Sequence, residues 1–412
     1  MKILVSAFAC SPYQGSEPGV GWTAVQQIAL DHEVFVICDE HAREPMSRAM
    51  AENLVPSNVK FRFTGNPTTS HSNRMIARIQ DWMTYRNYSR QVLAAASEWH
   101  REVGFDLCHQ VTIASFRVPS PLWQLPIPFV WGPIGGAGTV PPAFRSMMSP
   151  SARGFEKIRD INTLITTRSK AFLDCVRNAA VVVPANEEMA RFLAPYPNHR
   201  PLVQLPIVSL PPEKIALFQT RIATPPDDGP LLLFAGGSLL GSKGVSLALK
   251  ALAHVKQQGV KCHYTLAGGG PERESLQRLV RQLGLDAEVT FHPGYQKDEY
   301  IRALQSHHAY LLPSFREGTP VTMLEACLAG CYPVVADISA PGEIVRLAGG
   351  IAAKAESQNG LVRELSAAIQ WCDRNRGALR QEAMAASRQV TDHFSAARYR
   401  QCLNGIYATA MN

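Results

Sequence analysis

Several features that mark other protein classes are missing from this sequence of 412 residues. No uninterrupted apolar stretch approaches the roughly 18 residues of a membrane-spanning helix. The N-terminus enters a strand-like run, Met1 to Ser6, and lacks the apolar region of a signal peptide. The nine cysteines form no Cys-x-x-Cys pair and belong to no histidine or cysteine cluster. We therefore expect reduced thiols, no zinc site and a cytoplasmic location.

Charged residues are also few, at 18% of the chain against 46% hydrophobic residues, which is typical of a globular protein. The length suits two domains. The formal net charge is +7, and much of the basic excess falls in one stretch. Its members are Arg74, Arg78, Arg86, Arg90, Arg101, Arg117, Arg145, Arg153, Lys157, Arg159, Arg168, Lys170 and Arg177. No nucleic-acid recognition motif accompanies them, so we expect no nucleic-acid partner and a peripheral contact with an anionic membrane surface instead.

One segment of this stretch has the spacing of a basic amphipathic helix. Arg74, Arg78 and Arg86 alternate with apolar residues, which are Met75, Ile79, Trp82 and Met83. The alternative is a solvated helix with a core-facing apolar stripe, which we favour slightly.

Strand and helix signals alternate along the whole chain, which indicates parallel α/β architecture. One series opens at Ile3–Val5 and a second at Leu231–Phe234, with a proline-rich stretch at 184–230 between them whose later part is typical of a linker. The two series predict two Rossmann-like domains facing a cleft.

Glu317 and Glu325 are the most informative pair of residues. Thr319 can cap a helix, with Pro320 in its first turn and Gly330 as its stop. Glu317 then lies in the loop before the helix and Glu325 within it. A helix N-terminus binds anions, so a carboxylate on each side of it suits a ligand with phosphate in the middle and hydroxyls at both ends, as in a nucleotide sugar. The alternative is an ordinary strand–loop–helix unit with two solvated glutamates.

Two glycine-rich segments follow strands and precede helices. Gly15–Trp22 offers bare backbone amides at Gly19 and Gly21, but it is not the Gly-x-Gly-x-x-Gly fingerprint of dinucleotide-binding proteins. Its alternative is a tight turn. Phe234–Gly244 places Lys243 near a helix start, where its ammonium can point at phosphate.

The pattern Pro-Ser-x-x-Glu-Gly-x5-Leu-Glu-Ala at 313–326 resembles the signature of glycosyltransferase family 4, the retaining group 1 enzymes of the GT-B fold. The resemblance implies a nucleotide-diphosphate sugar as donor, no required cofactor and no metal. It also implies a last helix that crosses back to the first domain. We therefore expect an acceptor domain of residues 1–205 plus 393–412 and a nucleotide-sugar domain of residues 206–392.

The resemblance also suggests roles for single residues. Glu325 would bind the ribose, Glu317 would orient the sugar, and Lys243 would hold the diphosphate. The helix start would hold the diphosphate together with Lys243. It consists of Gly318, Thr319, Pro320 and Val321. Gly237 stands where the family usually has an arginine, and we expect Arg316 to compensate. His109 lies at a predicted strand end facing the cleft and would contact the donor sugar or else be structural. The Gly294 turn would contact the base.

The expected activity is hexosyl transfer to a glycan or lipid-linked acceptor in cell-surface polysaccharide or lipid-linked glycan synthesis. The enzyme would be cytoplasmic and peripheral at the inner face of the plasma membrane. One alternative is a phosphorylase or epimerase of the same fold. The other is a non-catalytic GT-B protein that binds nucleotide sugar, which the missing arginine at Gly237 favours.

Overall fold

The computed structural model describes residues 1–65, 74–196, 203–220, 225 and 228–412. The chain forms two compact units. Unit 1 contains Met1–Ala137, Ile161–Ser209 and Ala396–Asn412, and unit 2 contains Gly138–Asp160 and Leu210–Ser395. The predicted domain boundaries assigned residues 138–160 to the first domain, whereas this segment groups with unit 2.

Unit 1 is built on a parallel sheet of six strands in the order β3-β2-β1-β4-β5-β6. The strands are β1 Lys2–Ala7, β2 Glu33–Asp39, β3 Val59–Thr64, β4 Leu107–Thr112, β5 Phe129–Ile134 and β6 Val181–Pro184. The helices before the second sheet are α1 Ser16–Ala29, α2 Arg43–Ala51, α3 Arg74–Val103, α4 Pro142–Arg145, α5 Pro150–Arg168, α6 Lys170–Asn178, α7 Glu187–Leu193 and α8 Pro212–Gln219. Of these, α4, α8 and the first part of α5 lie in unit 2.

Unit 2 has a second parallel sheet of six strands in the order β12-β11-β10-β7-β8-β9. The strands are β7 Leu231–Gly236, β8 Cys262–Ala267, β9 Val289–His292, β10 Ala309–Leu312, β11 Tyr332–Ala336 and β12 Ile351–Ala353. The remaining helices are α9 Val245–Gln257, α10 Arg273–Gln282, α11 Lys297–Gln305, α12 Val321–Leu328, α13 Ser339–Ala348, α14 Gln358–Arg374, α15 Arg376–Phe394 and α16 Ala396–Met411. Several strands, such as β4, β10 and β11, are buried along their whole length because helices cover both faces of the sheets.

In both sheets the order in which successive strands are added reverses at the same place, between the first and the fourth strand of each series. In doubly wound sheets, ligands bind beyond the carboxyl ends of the strands at this switch point. The expected pair of Rossmann-like domains is confirmed. The switch points lie between β1 and β4 in unit 1 and between β7 and β10 in unit 2.

The last helix, α16, belongs to unit 1, as predicted. Its apolar side packs into the unit 1 core through residues spaced three and four apart, which are Tyr399, Leu403, Ile406 and Tyr407. The same core cluster contains Trp22 of α1 and Val130 of β5.

The structure contains two sets of elements that the sequence did not predict. The edge strands β3 and β12 were not predicted. The proline-rich stretch 184–230 contains two helices, α7 and α8, that were not predicted either. The predicted amphipathic segment falls within α3, but the side chains of residues 74–83 and 86, which carry the pattern, lie outside the described residues. Among the described helices, none is long and apolar enough to cross a membrane.

Candidate functional site

The switch point of unit 2 brings together the loop after β7 and the loop after β10. The backbone N–H of Phe315 donates a hydrogen bond to the carbonyl of Ser242 over 2.8 Å. Gly244 has φ +64°, and a Cβ there would lie 2.1 Å from the carbonyl oxygen of Pro313. Only glycine permits this approach without strain, so the sequence Lys243-Gly244 fixes how closely the two loops pack.

Lys243 and Glu317 meet at this switch point as an ion pair between the Lys243 Nζ and the Glu317 Oε1. Lys243 ends a short 3-10 helix, Gly241–Lys243. Glu317 Oε1 also accepts a hydrogen bond from Ser314 Oγ over 2.9 Å. The side chains of Lys243 and Glu317 keep 21% and 14% of their surface exposed. The pair is therefore held in place yet open to a ligand, and it offers both a cation for phosphate and a carboxylate for hydroxyl groups.

Helix α12 begins one residue later than the sequence predicted. Pro320, rather than Thr319, occupies the N-cap position, and no side chain caps the helix. The predicted stop at Gly330 is confirmed: its φ is +87°, and its N–H and that of Cys331 close the helix on the carbonyls of Cys327 and Ala326. No side chain caps this start, but the N–H groups of Val321 and Met323 donate to the carbonyls of Thr319 and Pro320. An anion at this helix start would therefore replace these backbone bonds.

Glu325, inside α12, has two partners that the sequence did not reveal. Its Oε2 accepts a hydrogen bond from the Tyr300 hydroxyl over 3.0 Å, and its Oε1 lies 2.7 Å from Lys214 Nζ. Burial, with the Glu325 carboxylate adding to it, raises the pKa of Tyr300. The hydroxyl therefore stays protonated and acts as a donor to Glu325. Tyr300 and Lys214 lie on α11 and α8, and no motif in the sequence connects them to Glu325.

Arg316 does not point its charge at the Lys243–Glu317 pair. Its Nη1 lies 2.5 Å from Oε1 of Glu156, a carboxylate on α5 that is 1% exposed. The neighbouring Phe315 stacks on Phe144, with ring centroids 4.4 Å apart. Residues 138–160 therefore hold the loop in front of Glu317, and the expectation that Arg316 compensates for a missing arginine is not supported because its charge is already paired.

Gly237, the position at which the sequence resemblance led us to expect arginine, has φ +122° and, among the described residues, no atom within 4 Å of a Cβ built on it. A side chain would fit into the space, but the backbone conformation is one that L residues rarely adopt. Gly268 and Gly270 pack against this loop, since a Cβ on them would lie 2.2 Å and 2.4 Å from the carbonyl oxygens of Gly237 and Leu239. Gly294 has φ +148°, and a Cβ there would meet open space.

In unit 1, Gly19 and Gly21 lie within α1 and not in a loop before it, because the helix begins at Ser16. A Cβ on Gly19 would lie 2.7 Å from the Gln14 carbonyl oxygen, and one on Gly21 would lie 2.1 Å from that of Ala9. Both glycines therefore let the preceding loop pack on the helix, which corrects the expectation of a phosphate-binding loop at these residues. Glu17 accepts a hydrogen bond from the Ala114 N–H over 3.0 Å, and burial raises the pKa of its carboxyl.

His109 is fully buried in β4, and both ring nitrogens have partners. Nδ1 lies 2.7 Å from the Tyr407 hydroxyl, and Nε2 lies 2.5 Å from the Gly132 carbonyl oxygen. Burial lowers the pKa of the imidazole to about 4. Because neither nitrogen is open to a ligand, the structure favours the structural alternative over the predicted sugar contact.

Unit 1 contains a cavity of about 180 Å³ beyond the carboxyl ends of β1 and β2. Its lining includes Phe8, Gln14, His41, Thr84 and Tyr85. Phe8 and Tyr85 make an edge contact with ring centroids 4.6 Å apart. An aromatic wall with polar side chains around it suits a carbohydrate, whose C–H faces pack on rings while its hydroxyls need hydrogen bonds. Among the residues that the structure describes, no group of three or more His, Cys, Asp or Glu side chains is placed to hold a metal ion.

These features can be compared with known proteins. Residues 218–383 match the family model of glycosyl transferases group 1. A curated relative is the putative colanic acid biosynthesis glycosyltransferase WcaL of Salmonella typhimurium, 31% identical over 33% of this chain and 36% of that protein. The matches span about a third of the length of the first curated relatives.

Solved structures match over nearly the whole chain. The apo lipopolysaccharide outer core galactosyltransferase WaaB has a TM-score of 0.63 at 17% identity, covering 99% of both chains. Anabaena Alr3699/HepE in complex with UDP-glucose has a TM-score of 0.60 at 15% identity, covering 99% of this chain and 100% of that one. These likenesses show that the chain has the GT-B fold.

Proposed function

We propose that this protein is a retaining glycosyltransferase that moves a sugar from a nucleotide-diphosphate donor to an acceptor hydroxyl. The observation that carries the proposal is the Lys243–Glu317 pair at the switch point of unit 2, with Glu325 eight residues further on and α12 beginning between the two glutamates. The group 1 match over residues 218–383 supports it, because the match contains all three side chains.

The diphosphate is held by Lys243 and the amides at the start of α12. A diphosphate carries more charge than the Glu317 carboxylate and competes for the Lys243 ammonium. Glu317 is then freed to accept hydrogen bonds from the hydroxyls of the donor sugar. The exchange places the cation beside the oxygen that becomes charged when the glycosidic bond breaks, and such oriented charge is a large contribution to catalysis.

The ribose is bound at Glu325, whose carboxylate is already fixed by Tyr300 and Lys214. A carboxylate held by two donors is oriented before the ligand arrives, which lowers the entropic cost of binding. We place Lys214 here as the counter-charge of the Glu325 carboxylate. A carboxylate can accept two hydroxyl hydrogen bonds from a ribose.

The acceptor is assigned to the cavity in unit 1, where Phe8 and Tyr85 provide a surface for a sugar ring. A glycan or lipid-linked acceptor in cell-surface polysaccharide synthesis agrees with the relative WcaL, which is described as acting in colanic acid biosynthesis. UDP-sugars are the first donors to test, since HepE was solved with UDP-glucose.

The donor site is tested by binding. A thermal-shift screen of UDP-, GDP-, ADP- and dTDP-sugars identifies the base, since a ligand of the folded state raises the melting temperature. The dissociation constant of the matching nucleotide is then measured for wild type and Glu325→Gln, with ribose and with 2′,3′-dideoxyribose. We expect the substitution to weaken the ribonucleotide about tenfold and the dideoxynucleotide hardly at all. Equal weakening of both nucleotides would remove Glu325 from the ribose site, and no shift with any donor would overturn the proposal.

A non-catalytic nucleotide-sugar-binding protein is the second candidate, favoured by Gly237 at the position of the usual arginine. The two candidate functions, transferase and binding protein, are distinguished by incubating the protein with donor and without acceptor. Slow release of free sugar, abolished in Glu317→Ala, supports the transferase. Tight donor binding with no turnover, with or without membrane extracts as acceptor source, supports the binding protein. Phosphate-dependent cleavage or an epimerised donor in the same assay would indicate a phosphorylase or an epimerase.

A further inference from the structure

Helix α5 exposes an apolar strip. Ile158, Ile161, Leu164 and Ile165 are 66%, 57%, 53% and 64% exposed. Spacings of three and four residues place them on one side of the helix. The opposite side is buried: it carries Glu156, 1% exposed, and Thr166, 7% exposed. Among the described residues, every isoleucine classed as exposed lies on this helix. A concentration of exposed β-branched side chains in two turns marks a binding surface and not an ordinary solvated helix.

The same side of α5 is cationic. Arg153, Lys157 and Arg168 are exposed, and Lys157 lies one turn before Ile161. The helix has two carboxylates, and both are paired: Glu156 is buried against Arg316, and Asp160, whose side chain is 38% exposed one turn before Leu164, pairs with Arg145. The outward face therefore combines aliphatic side chains with positive charge, and the one carboxylate at its edge, Asp160, is neutralised by Arg145.

We propose that the outward face of α5, formed by Ile158, Ile161, Leu164 and Ile165 with Arg153, Lys157 and Arg168, docks on an anionic lipid bilayer. A helix of this kind lies in the plane of the interface with its apolar side chains below the headgroups. The long cationic side chains reach back to the phosphates at the same depth. The positive face is complementary to the negative surface potential of anionic lipids.

A second copy of this chain is a poorer occupant of the face. A symmetric contact between two copies would bring cationic side chains of each copy near those of the other, and like charges across an interface weaken association. The predicted basic amphipathic helix lay at residues 74–86, whereas the described side chains with this character are on α5. The proposed function supplies a reason for the contact, a lipid-linked acceptor, but the contact itself is measured without donor or acceptor.

The test is sedimentation of the full chain with large unilamellar vesicles. We expect binding to phosphatidylcholine vesicles with about 30 mol% phosphatidylglycerol, weaker binding at high salt, and little binding to phosphatidylcholine alone. Ile161→Glu/Ile165→Glu lowers the partition coefficient at least about tenfold, and Lys157→Glu lowers it about fivefold or more. The matched controls are Leu30→Glu, since Leu30 is 59% exposed on unit 1, and Lys250→Glu on α9. Both controls bind like wild type.

Several results would overturn the proposal. The first is that the wild-type protein does not bind anionic vesicles. The second is that the α5 variants bind as well as wild type. The third is that the two control variants lose as much vesicle binding as the α5 variants. A dimer seen by analytical ultracentrifugation and lost in Ile161→Glu/Ile165→Glu would assign the face to a second copy instead. Donor-induced thermal shifts of the same variants keep the questions apart. Vesicle binding that depends on α5 stands even if no nucleotide sugar binds, and donor binding stands even if the vesicles do not.

Discussion

Arg316 and Glu156, 160 positions apart in the sequence, form an ion pair directly in front of Glu317. The two partners are not equivalent, because the Arg316 side chain keeps 21% of its surface exposed and that of Glu156 only 1%. Phe315 and Phe144 stack beside them, so the loop that precedes Glu317 is held by both a charge pair and an aromatic pair from residues 138–160. The geometry of the proposed donor site therefore depends on a segment that precedes the second sheet.

We expect this pair to respond asymmetrically to truncation. Arg316→Ala leaves a buried carboxylate without a counter-charge and lowers the free energy of unfolding by about 3 kcal/mol. Glu156→Ala leaves an arginine that can still be hydrated, so it costs only about 1 kcal/mol. Urea denaturation measures both values. The double variant Arg316→Leu/Glu156→Leu removes both charges and should be more stable than Arg316→Ala alone. If it is not, the pair is not what makes the single variant unstable.

Lys243→Met should lower the kcat of sugar transfer or of donor hydrolysis by about a hundredfold or more, because it removes the cation beside the departing diphosphate. The effect on unfolding should be smaller than that of Arg316→Ala, since the Glu317 carboxylate left behind is 14% exposed and still accepts a hydrogen bond from Ser314 Oγ. Initial rates and urea midpoints check the two statements. Lys250→Met, an exposed lysine on α9, is the matched control. Unchanged kcat in Lys243→Met would exclude leaving-group stabilisation by this lysine.

Gly244→Ala should be strongly destabilising, and more so than Gly259→Ala. Both glycines have positive φ, +64° and +84°, so both substitutions carry the left-handed backbone cost of about 1–2 kcal/mol. At Gly244 the Pro313 carbonyl oxygen also lies 2.1 Å from the new Cβ, whereas at Gly259 the described part of the chain places no atom within 4 Å of it. The difference between the two urea midpoints therefore measures how tightly the β7 and β10 loops pack. Equal destabilisation would show that the contact relaxes easily.

His109 should make stability fall on acidification. Its folded pKa is about 4 and its reference value is 6.5, so the unfolded state takes up a proton between these pH values while the folded state does not. The contribution of neutral His109 is fully present above pH 6.5 and is lost as the pH falls towards 4, amounting to about 3 kcal/mol. Unfolding of His109→Gln, followed from pH 7 to pH 4, should show a shallower loss than wild type. His254→Gln, at an exposed site, should follow wild type, and a His109→Gln curve parallel to wild type would contradict the expectation.

The sequence was most informative where one short run of residues contains both the functional side chains and the strand, loop and helix that position them. The strand, loop and helix around Glu317 and Glu325 were predicted to within one residue, because an apolar strand, a proline at a helix start and a glycine stop are all local signals. Gly330 was found for the same reason, since a glycine with positive φ is required by the backbone of its own turn.

The same local signals misled at α1, where three glycines in a row of seven residues suggested a loop. Gly19 and Gly21 are helical, and their lack of a Cβ lets the loop at residues 9–14 pack against the helix. The glycine spacing does not reveal this close contact, since the contact depends on how the residues that follow β1 pack against the helix. His109 was predicted at a strand end, whereas it lies inside β4, and its ring is held by Tyr407, 298 positions away.

The sequence alone thus determined the alternating strands and helices, the glutamate on each side of a helix start and the lysine–glycine turn. Each of these features depends on neighbours a few residues apart. Only the tertiary structure decided that Lys214 and Tyr300 hold Glu325, that Glu156 neutralises Arg316, and that the outward side of α5 is left uncovered. Those relationships join side chains from separate elements, and their distances are set by how helices pack on the sheet, which no short-range pattern records.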